Sequence, residues 1–298
     1  MGPYLSQPDT KKDSEFGGDN RLMYSATSMQ GWRNNQEDSH IADIKLPNGE
    51  AIFGVFDGHG GAEVAQFVKK KFVSTFKDLP EYKSANYEVA LTKCFIQLDE
   101  MMTAGKSKDP ITAFSMSTGC TACVALLTKD ALICANSGDS RCVLNRGGKA
   151  LEMSEDHKPD NFGEQKRIEA AGGFVEEGRV RGILSLSRAL GDLEYKQNKK
   201  VKVEEQMITC VPEVKKVPLT ADDKFVVIAC DGIWDCLTSQ ACVDVLSKSV
   251  KARKQSDKTP KVIEDMFDQI LCKDVTSPDC DGSGTDNMTC VLIELRGK

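Results

Sequence analysis

Ala51-Ile-Phe-Gly-Val-Phe56 runs directly into Asp57-Gly-His-Gly-Gly61, an apolar run that stops at a carboxylate, an imidazole and three glycines. A short apolar run bounded by turn residues reads as a buried strand. A carboxylate at its end sits where core meets water, is poorly solvated, and needs cations or donors beside it. The pattern returns at Phe225-Val-Val-Ile-Ala-Cys230 before Asp231, and in mirror image where Asp286 precedes Met288-Thr-Cys-Val-Leu-Ile293. Such groups, converging from distant parts of one chain, would bind a hard divalent metal through oxygen.

Outward from that stretch the chain alternates strands and helices. Pro47-Asn48-Gly49 lies between two apolar runs, a hairpin signal. Gly61 opens a helix in which Val64, Val68, Phe72 and Phe76 recur at four-residue spacing, and a second helix over 87–102 places Leu91, Phe95, Leu98 and Met102 on one face. Strands follow near 118–127, 131–136 and 140–145, with a turn at Gly147-Gly148. A short helix over 161–171 is stopped by Gly172-Gly173, and the polar, glycine-rich residues 174–205 complete a segment over 162–205 read as a mobile flap. A strand over 225–230, helices from Thr238 or Ser239 and after Pro260, a loop over 274–285 and a strand over 288–295 close the chain. Hairpin sets interrupted by helix pairs suggest an α+β architecture, two mostly antiparallel sheets packed together with helices outside. Residues 1–20 read as a flexible arm, and 21–298 as a single domain.

Composition narrows the function. Forty per cent apolar and 28 per cent charged residues over 298 positions allow a sizeable core, and a net charge of −6 argues against nucleic acid as a partner. No apolar stretch approaches the roughly eighteen residues of a membrane span, and the N-terminus lacks the basic and apolar regions of a secretion signal. The expectation is a monomer in the cytoplasm, with the nucleus or the membrane periphery as further settings. Met1-Gly-Pro-Tyr-Leu-Ser6 fits the loose pattern for myristoylation at Gly2, with Pro3 against it, and one acyl chain gives only reversible membrane attachment. Most of the twelve cysteines sit in apolar runs and read as reduced thiols. Cys120-Thr-Ala-Cys123 has a redox or zinc spacing but no second pair, and Cys290 to Arg296 has a thiol-phosphatase spacing filled with Val, Leu and Ile; both read as strands.

Asp57-Gly-His59 combines a carboxylate, a titratable ring and glycines that free the Gly58 carbonyl to act as a ligand. A plain tight turn would explain the glycines but not the acid and imidazole together. Asp231 and Asp286 alone could each be a cap or turn residue, Asp139 in Gly138-Asp-Ser-Arg141 divides about evenly between a salt bridge or turn and a metal ligand, and Asn287 reads as structural. Arg33 could be a surface ion pair, or the planar donor fork that a phosphate dianion needs.

Met29-Gln-Gly-Trp-Arg-Asn-Asn-Gln-Glu-Asp38, Val55-Phe-Asp-Gly-His-Gly-Gly61, Ala135-Asn-Ser-Gly-Asp-Ser-Arg141, Ser187-Arg-Ala-Leu-Gly-Asp192, Asp231-Gly-Ile-Trp-Asp235 and Gly284-Thr-Asp-Asn287, in that order, resemble the motif series of the metal-dependent protein phosphatases of type 2C. The resemblance spans about residues 22–295 and implies a four-layer αββα sandwich that hydrolyses phosphoserine and phosphothreonine in phosphoprotein substrates. It further implies two Mg²⁺ or Mn²⁺ ions bridged by Asp57, with the Gly58 carbonyl on one and Asp231 and Asp286 on the other. Asp139, with Asp231, matches a third, weaker metal site. Glu37 and Asp38 would hold metal-associated water, Arg33 would bind phosphate, and His59 would act as general acid in direct attack by water, without a phosphoenzyme. Two other readings compete: a catalytically dead phosphoprotein-binding relative, against which the intact acidic set weighs, and a phosphodiesterase or nuclease, disfavoured by the acidic charge.

Overall fold

The computed structural model describes residues 4–103, 114–253 and 259–296. The Gly2 expectation lies outside them. Strand β1 (Asp9–Gly18) pairs with β2 (Leu22–Gly31), and β3 (Ser39–Asp43) forms a hairpin with β4 (Ala51–Phe56) around Gly49, which adopts a positive φ of 84°. The two-residue β5 (Gly58–His59) leads into helix α1 (Glu63–Asp78), followed by α2 (Pro80–Lys83) and α3 (Tyr87–Thr103). Next come β6 (Gly119–Cys120), β7 (Ala122–Leu127), β8 (Ala131–Ser137), β9 (Arg141–Arg146) and β10 (Lys149–Glu152). The segment after them holds α4 (Phe162–Ala170), the small hairpin β11 (Val175–Glu176) with β12 (Arg179–Val180), and β13 (Leu190–Gly191). The chain ends with β14 (Glu213–Pro218), β15 (Asp223–Ala229), α5 (Asp231–Trp234), α6 (Ser239–Ala252), α7 (Lys261–Ile270) and β16 (Met288–Leu295). The hydroxyl of Thr238 caps α6 by accepting from the Ala241 amide. Among the described residues no helix is long and apolar enough to cross a membrane.

Two antiparallel sheets carry the fold, one ordered β1-β2-β16-β15-β9-β10 and the other β14-β8-β7-β4-β3. Side chains alternate across each strand, so β4 feeds two cores. Phe53 and Val55 point between the sheets and meet Ala26, Leu144, Ile228 and Val291, while Ile52 and Phe56 point outward under α1 and α3. On the far side Phe225, Val227 and Leu292 pack against Val243 and Leu246 of α6 and Ile263 and Phe267 of α7. The result is four layers, helix, sheet, sheet, helix, as the sequence suggested. Phe72 and Phe76 of α1 are fully buried; truncating either would cost about 3–5 kcal/mol.

Two expectations need correction. Residues 9–18, read as part of a loose arm, form edge strand β1, with Phe16 opposite Ser25 and Glu15 opposite Ala26. Its residues are polar because most face water, and the backbone ladder to β2 holds it rather than a buried face. The segment over 174–205, read as polar and weakly patterned, contributes Val180, Ala189 and Tyr195 to a core shared with Ile168 of α4 and with Met207 and Ile208. It is also tied by charge. Glu164 accepts from Arg167 at 2.7 Å, from Arg188 at 2.7 Å and from the Ser187 hydroxyl at 2.6 Å. Burial opposes ionisation of Glu164, but these donors prevail and hold its carboxyl down at about 2.

Candidate active site

The ends of both sheets that face one way carry the chemistry. Asp57 follows the last residue of β4, Asp231 follows Cys230 after β15, Asp286 precedes β16, and Asp139 lies in the turn from β8 to β9. Arg33, Glu37 and Asp38 lie on the loop from β2 to β3. Antiparallel register brings them together: Met288 pairs with Met29, Ser39 with Phe56, and Ala229 with both Cys290 and Arg141. A cleft of about 330 Å³ results, walled by Arg33, Glu37, Asp57, Gly58, His59, Asp139, Asp231 and Asp286. Thus seven of the expected side chains and the Gly58 backbone meet on one surface. Asp38 lies just behind it, where a carboxylate oxygen, one from Asp57 and the Cys230 sulfur all fall within 4.8 Å of one another.

Local packing explains how the wall is held. Thr121 interrupts the strand expected over 118–127, splitting it into β6 and β7, because it turns to grip Asp57. Its amide donates to the Asp57 carbonyl at 2.8 Å and its hydroxyl accepts from the Asp57 amide at 3.1 Å. Asn287 acts as the structural clamp the sequence suggested: its amide group donates to the carbonyls of Gln30 and Asn35 at 2.8 and 2.9 Å, and its oxygen accepts from the Glu37 amide at 2.9 Å. At Gly232 an added Cβ would stand 2.1 Å from the Asn287 carbonyl oxygen, so only glycine lets the start of α5 approach the start of β16. Thr289 Oγ1 donates to Asp38 at 2.6 Å.

Negative charge is crowded here. Burial pushes the Asp57 carboxyl well up, and the neighbouring charges of Asp231, Asp38, Asp139 and Asp286 add to the rise. Asp231 is raised by burial and then by Asp139, Asp286 and Asp235, with Lys158 giving partial relief. Burial lifts Asp38 to about 6 despite its bond from Thr289. Burial also raises Asp286, against the pull of Arg33, whose guanidinium donates to it at 2.5 Å. Asp139 is paired with Lys158, so its salt-bridge reading holds while it also faces the cleft. Arg141 is spent elsewhere, forked onto Asp156 at 2.9 and 2.7 Å.

This donor set suits a hard cation. Its oxygens are clustered and their ionisation is opposed by burial and mutual repulsion, with Arg33 and Lys158 offsetting only part of the charge, an environment that divalent ions such as Mg²⁺ or Mn²⁺ relieve. Cys230 is the exception among them. Burial, with the charges of Asp38, Asp57 and Asp231, holds its thiol well above its usual range, so it stays protonated and donates to the Asn287 carbonyl at 3.5 Å.

His59 is the one histidine on the cleft wall; His40 pairs with Glu15, and His157 sits against Gly138. Its Nε2 lies 2.9 and 2.8 Å from the two oxygens of Asp192, a carboxylate only 1% exposed. Burial alone would lower the His59 pKa, but the Asp192 charge and hydrogen bond prevail and raise it. Asp192 was not singled out from the sequence. It stands in a motif of the resemblance, but its role comes from a left-handed backbone (φ 48°, ψ 45°) at the end of β13, whose pairing with β6 places it against β5. Leu184, Ser185 and Leu186 close the cleft from the flap side, and no periodicity in that segment signalled them.

Comparison with known proteins agrees with this geometry. The family model for protein phosphatase 2C matches residues 22–276. A probable protein phosphatase 2C 6 of Paramecium tetraurelia is 46% identical across 99% of this chain and 100% of its own length. A probable protein phosphatase 2C 21 of Arabidopsis thaliana is 38% identical across 99% of this chain and 93% of its own. Among solved structures, a phosphatase of Toxoplasma gondii superposes with a TM-score of 0.79 over 97% of this chain and 96% of that one, at 23% identity, a likeness of fold. Strand order, acidic cleft and sequence relatives agree: the chain belongs to the protein phosphatase 2C family.

Proposed function

We propose that this protein phosphatase hydrolyses phosphoserine and phosphothreonine in proteins at a centre of two divalent ions, Mg²⁺ or Mn²⁺, without a phosphoenzyme. One observation carries the reading: Asp57, Asp231 and Asp286, remote in sequence, meet in a cleft that also holds Arg33 and His59. Asp57 would bridge the ions, the Gly58 carbonyl would serve one, and Asp231 and Asp286 the other, with Asp139 beside Asp231 available to a third. When bound, the ions supply Lewis acidity, lowering the pKa of water and offsetting phosphoryl charge.

The remaining work falls to the chain's own groups. Glu37 and Asp38 accept hydrogen bonds from water at the cleft floor and fix where it stands. Arg33, held over the opening by Asp286, exchanges that carboxylate for two phosphoryl oxygens. A serine or threonine alkoxide is a poor leaving group and gains from protonation as the P–O bond breaks. With Nε2 of His59 engaged by Asp192, Nδ1 is the nitrogen left to deliver that proton. The carboxylate also raises the His59 pKa, favouring the imidazolium that donates the proton.

The family supports phosphoproteins as substrates, the net charge of −6 disfavours nucleic acid, and the reading is of a monomer in a cytoplasmic setting. The test is phosphate release from a phosphothreonine peptide with Mn²⁺, without it, and with a chelator. Activity should require the ion and vanish in Asp57→Ala; turnover that survives the chelator or the substitution would defeat the assignment.

A further inference from the structure

Of the twelve free cysteines, nine are buried, and only Cys236, Cys272 and Cys280 reach the surface. Two of those three face each other. Cys272 Sγ lies 3.5 Å from Cys280 Sγ in the connection from α7 to β16, eight positions apart in sequence. Local hydrogen bonds fold that connection back on itself. The Asp274 carboxylate accepts from the Thr276 amide at 2.9 Å, the Ser277 amide donates to the Asp274 carbonyl at 3.3 Å, and the Cys280 amide donates to the Ser277 carbonyl at 3.0 Å. At its base Cys272 is pinned: its amide donates to the Gly284 carbonyl at 2.9 Å, and its carbonyl accepts from Trp32 Nε1 at 2.8 Å.

We propose that Cys272 and Cys280 form a reversible dithiol–disulfide couple, a site of oxidation by peroxides beside the loop that carries Asp286. One thiol, as thiolate, attacks a peroxide oxygen; the O–O bond breaks, and a sulfenic acid and one water result. The second thiol displaces the sulfenic hydroxyl as water, and the S–S bond forms. Two thiols and one hydrogen peroxide become one disulfide and two waters. The sulfurs must approach from 3.5 Å to about 2.05 Å, a closure within reach of side-chain rotation and a small shift of the turn holding Cys280.

The other cysteines lack one requirement or another. Cys123, Cys134 and Cys142 are mutual neighbours but lie between the sheets with no exposed surface. Cys236 is half-buried, its sulfur is directed at the Gly232 carbonyl at 3.5 Å, and burial pushes its thiol up to about 11.

Tryptic mass mapping decides the matter, because Lys273 separates the two sulfurs. The whole protein is treated with hydrogen peroxide, alkylated and digested, without and with prior dithiothreitol. Peptide 262–273 should appear joined to peptide 274–296, and dithiothreitol should release it. The join should form at least about tenfold faster than loss of the other thiols. It should be absent in Cys280→Ser and retained in Cys236→Ser. Both thiols still alkylated after other residues have oxidised would overturn the proposal. So would a join that persists in Cys280→Ser, since Cys290 shares that peptide. The wild-type readout needs no variant to fold and no measurement of activity.

Discussion

Replacing Asp38 by asparagine tests the electrostatics of the cleft in protein stripped of metal by a chelator. Burial lifts this carboxyl from an ordinary 3.8 to about 6, and the charge of Asp286 adds to it. A carboxyl with a folded pKa above its unfolded one destabilises the fold once ionised. The cost is absent below about pH 4, grows to about pH 6, and is full above that. Two pK units at roughly 1.36 kcal/mol each give about 3 kcal/mol, which partial opening to the cleft reduces to roughly 1–3. Asparagine keeps the shape and an oxygen for the Thr289 hydroxyl, which now donates at 2.6 Å. Asp38→Asn should therefore stabilise metal-free protein at pH 7.5, raising Tm by about 2–5 °C, and match the wild type at pH 4. Thermal unfolding with a chelator from pH 4 to pH 8 measures this. Saturating Mn²⁺ should reverse the order, because the wild type gains more from binding. An advantage that is absent at pH 7.5, or flat across pH, would refute the argument.

Other perturbations probe separate parts. His59→Ala should slow alkyl phosphates about 100-fold more than aryl phosphates, and Asp192→Asn should shift the same ratio by a smaller factor; equal losses on both substrates would remove the acid role. Gly232→Ala, whose Cβ would stand 2.1 Å from the Asn287 carbonyl oxygen, should cost on the order of 1–3 kcal/mol and weaken Mn²⁺ binding by calorimetry; wild-type affinity would show that this close approach does not position Asp231. Glu164→Gln addresses the flap. Its carboxyl is held at about 2 against an ordinary 4.5, so the stability it contributes is full above about pH 4.5 and is lost as pH falls through about 2. The variant should lose up to about 3 kcal/mol at pH 7, a deficit that shrinks with acidification in urea titrations; a deficit independent of pH would reject the ion-pair account.

Much of this was legible because it is local. An apolar run ending in aspartate marked the ends of β4 and β15 and the start of β16, and those ends became the cleft. Asn48-Gly49 announced its hairpin, and Thr238 its helix cap. Asp38 was legible as a site residue only through the motif it stands in. Its place behind the cleft, bonded to Thr289, depends on the pairing of β16 with β2. The polar strand β1 left no trace in hydrophobicity, because an edge strand facing water is held by backbone bonds that any residue can make.

The order of residues along the chain thus determined which segments become strands and helices and which carboxylates stand at their ends, since burial and φ/ψ preference act over a few neighbours. Tertiary structure alone decided the partners. Consecutive strands β8 and β9 part at Gly138 (φ 119°) to join opposite sheets, and Asp192 crosses to His59 over 133 positions of sequence. Those contacts rest on register and side-chain packing between remote segments, where the competing pairings leave no periodic signal in any one stretch of chain.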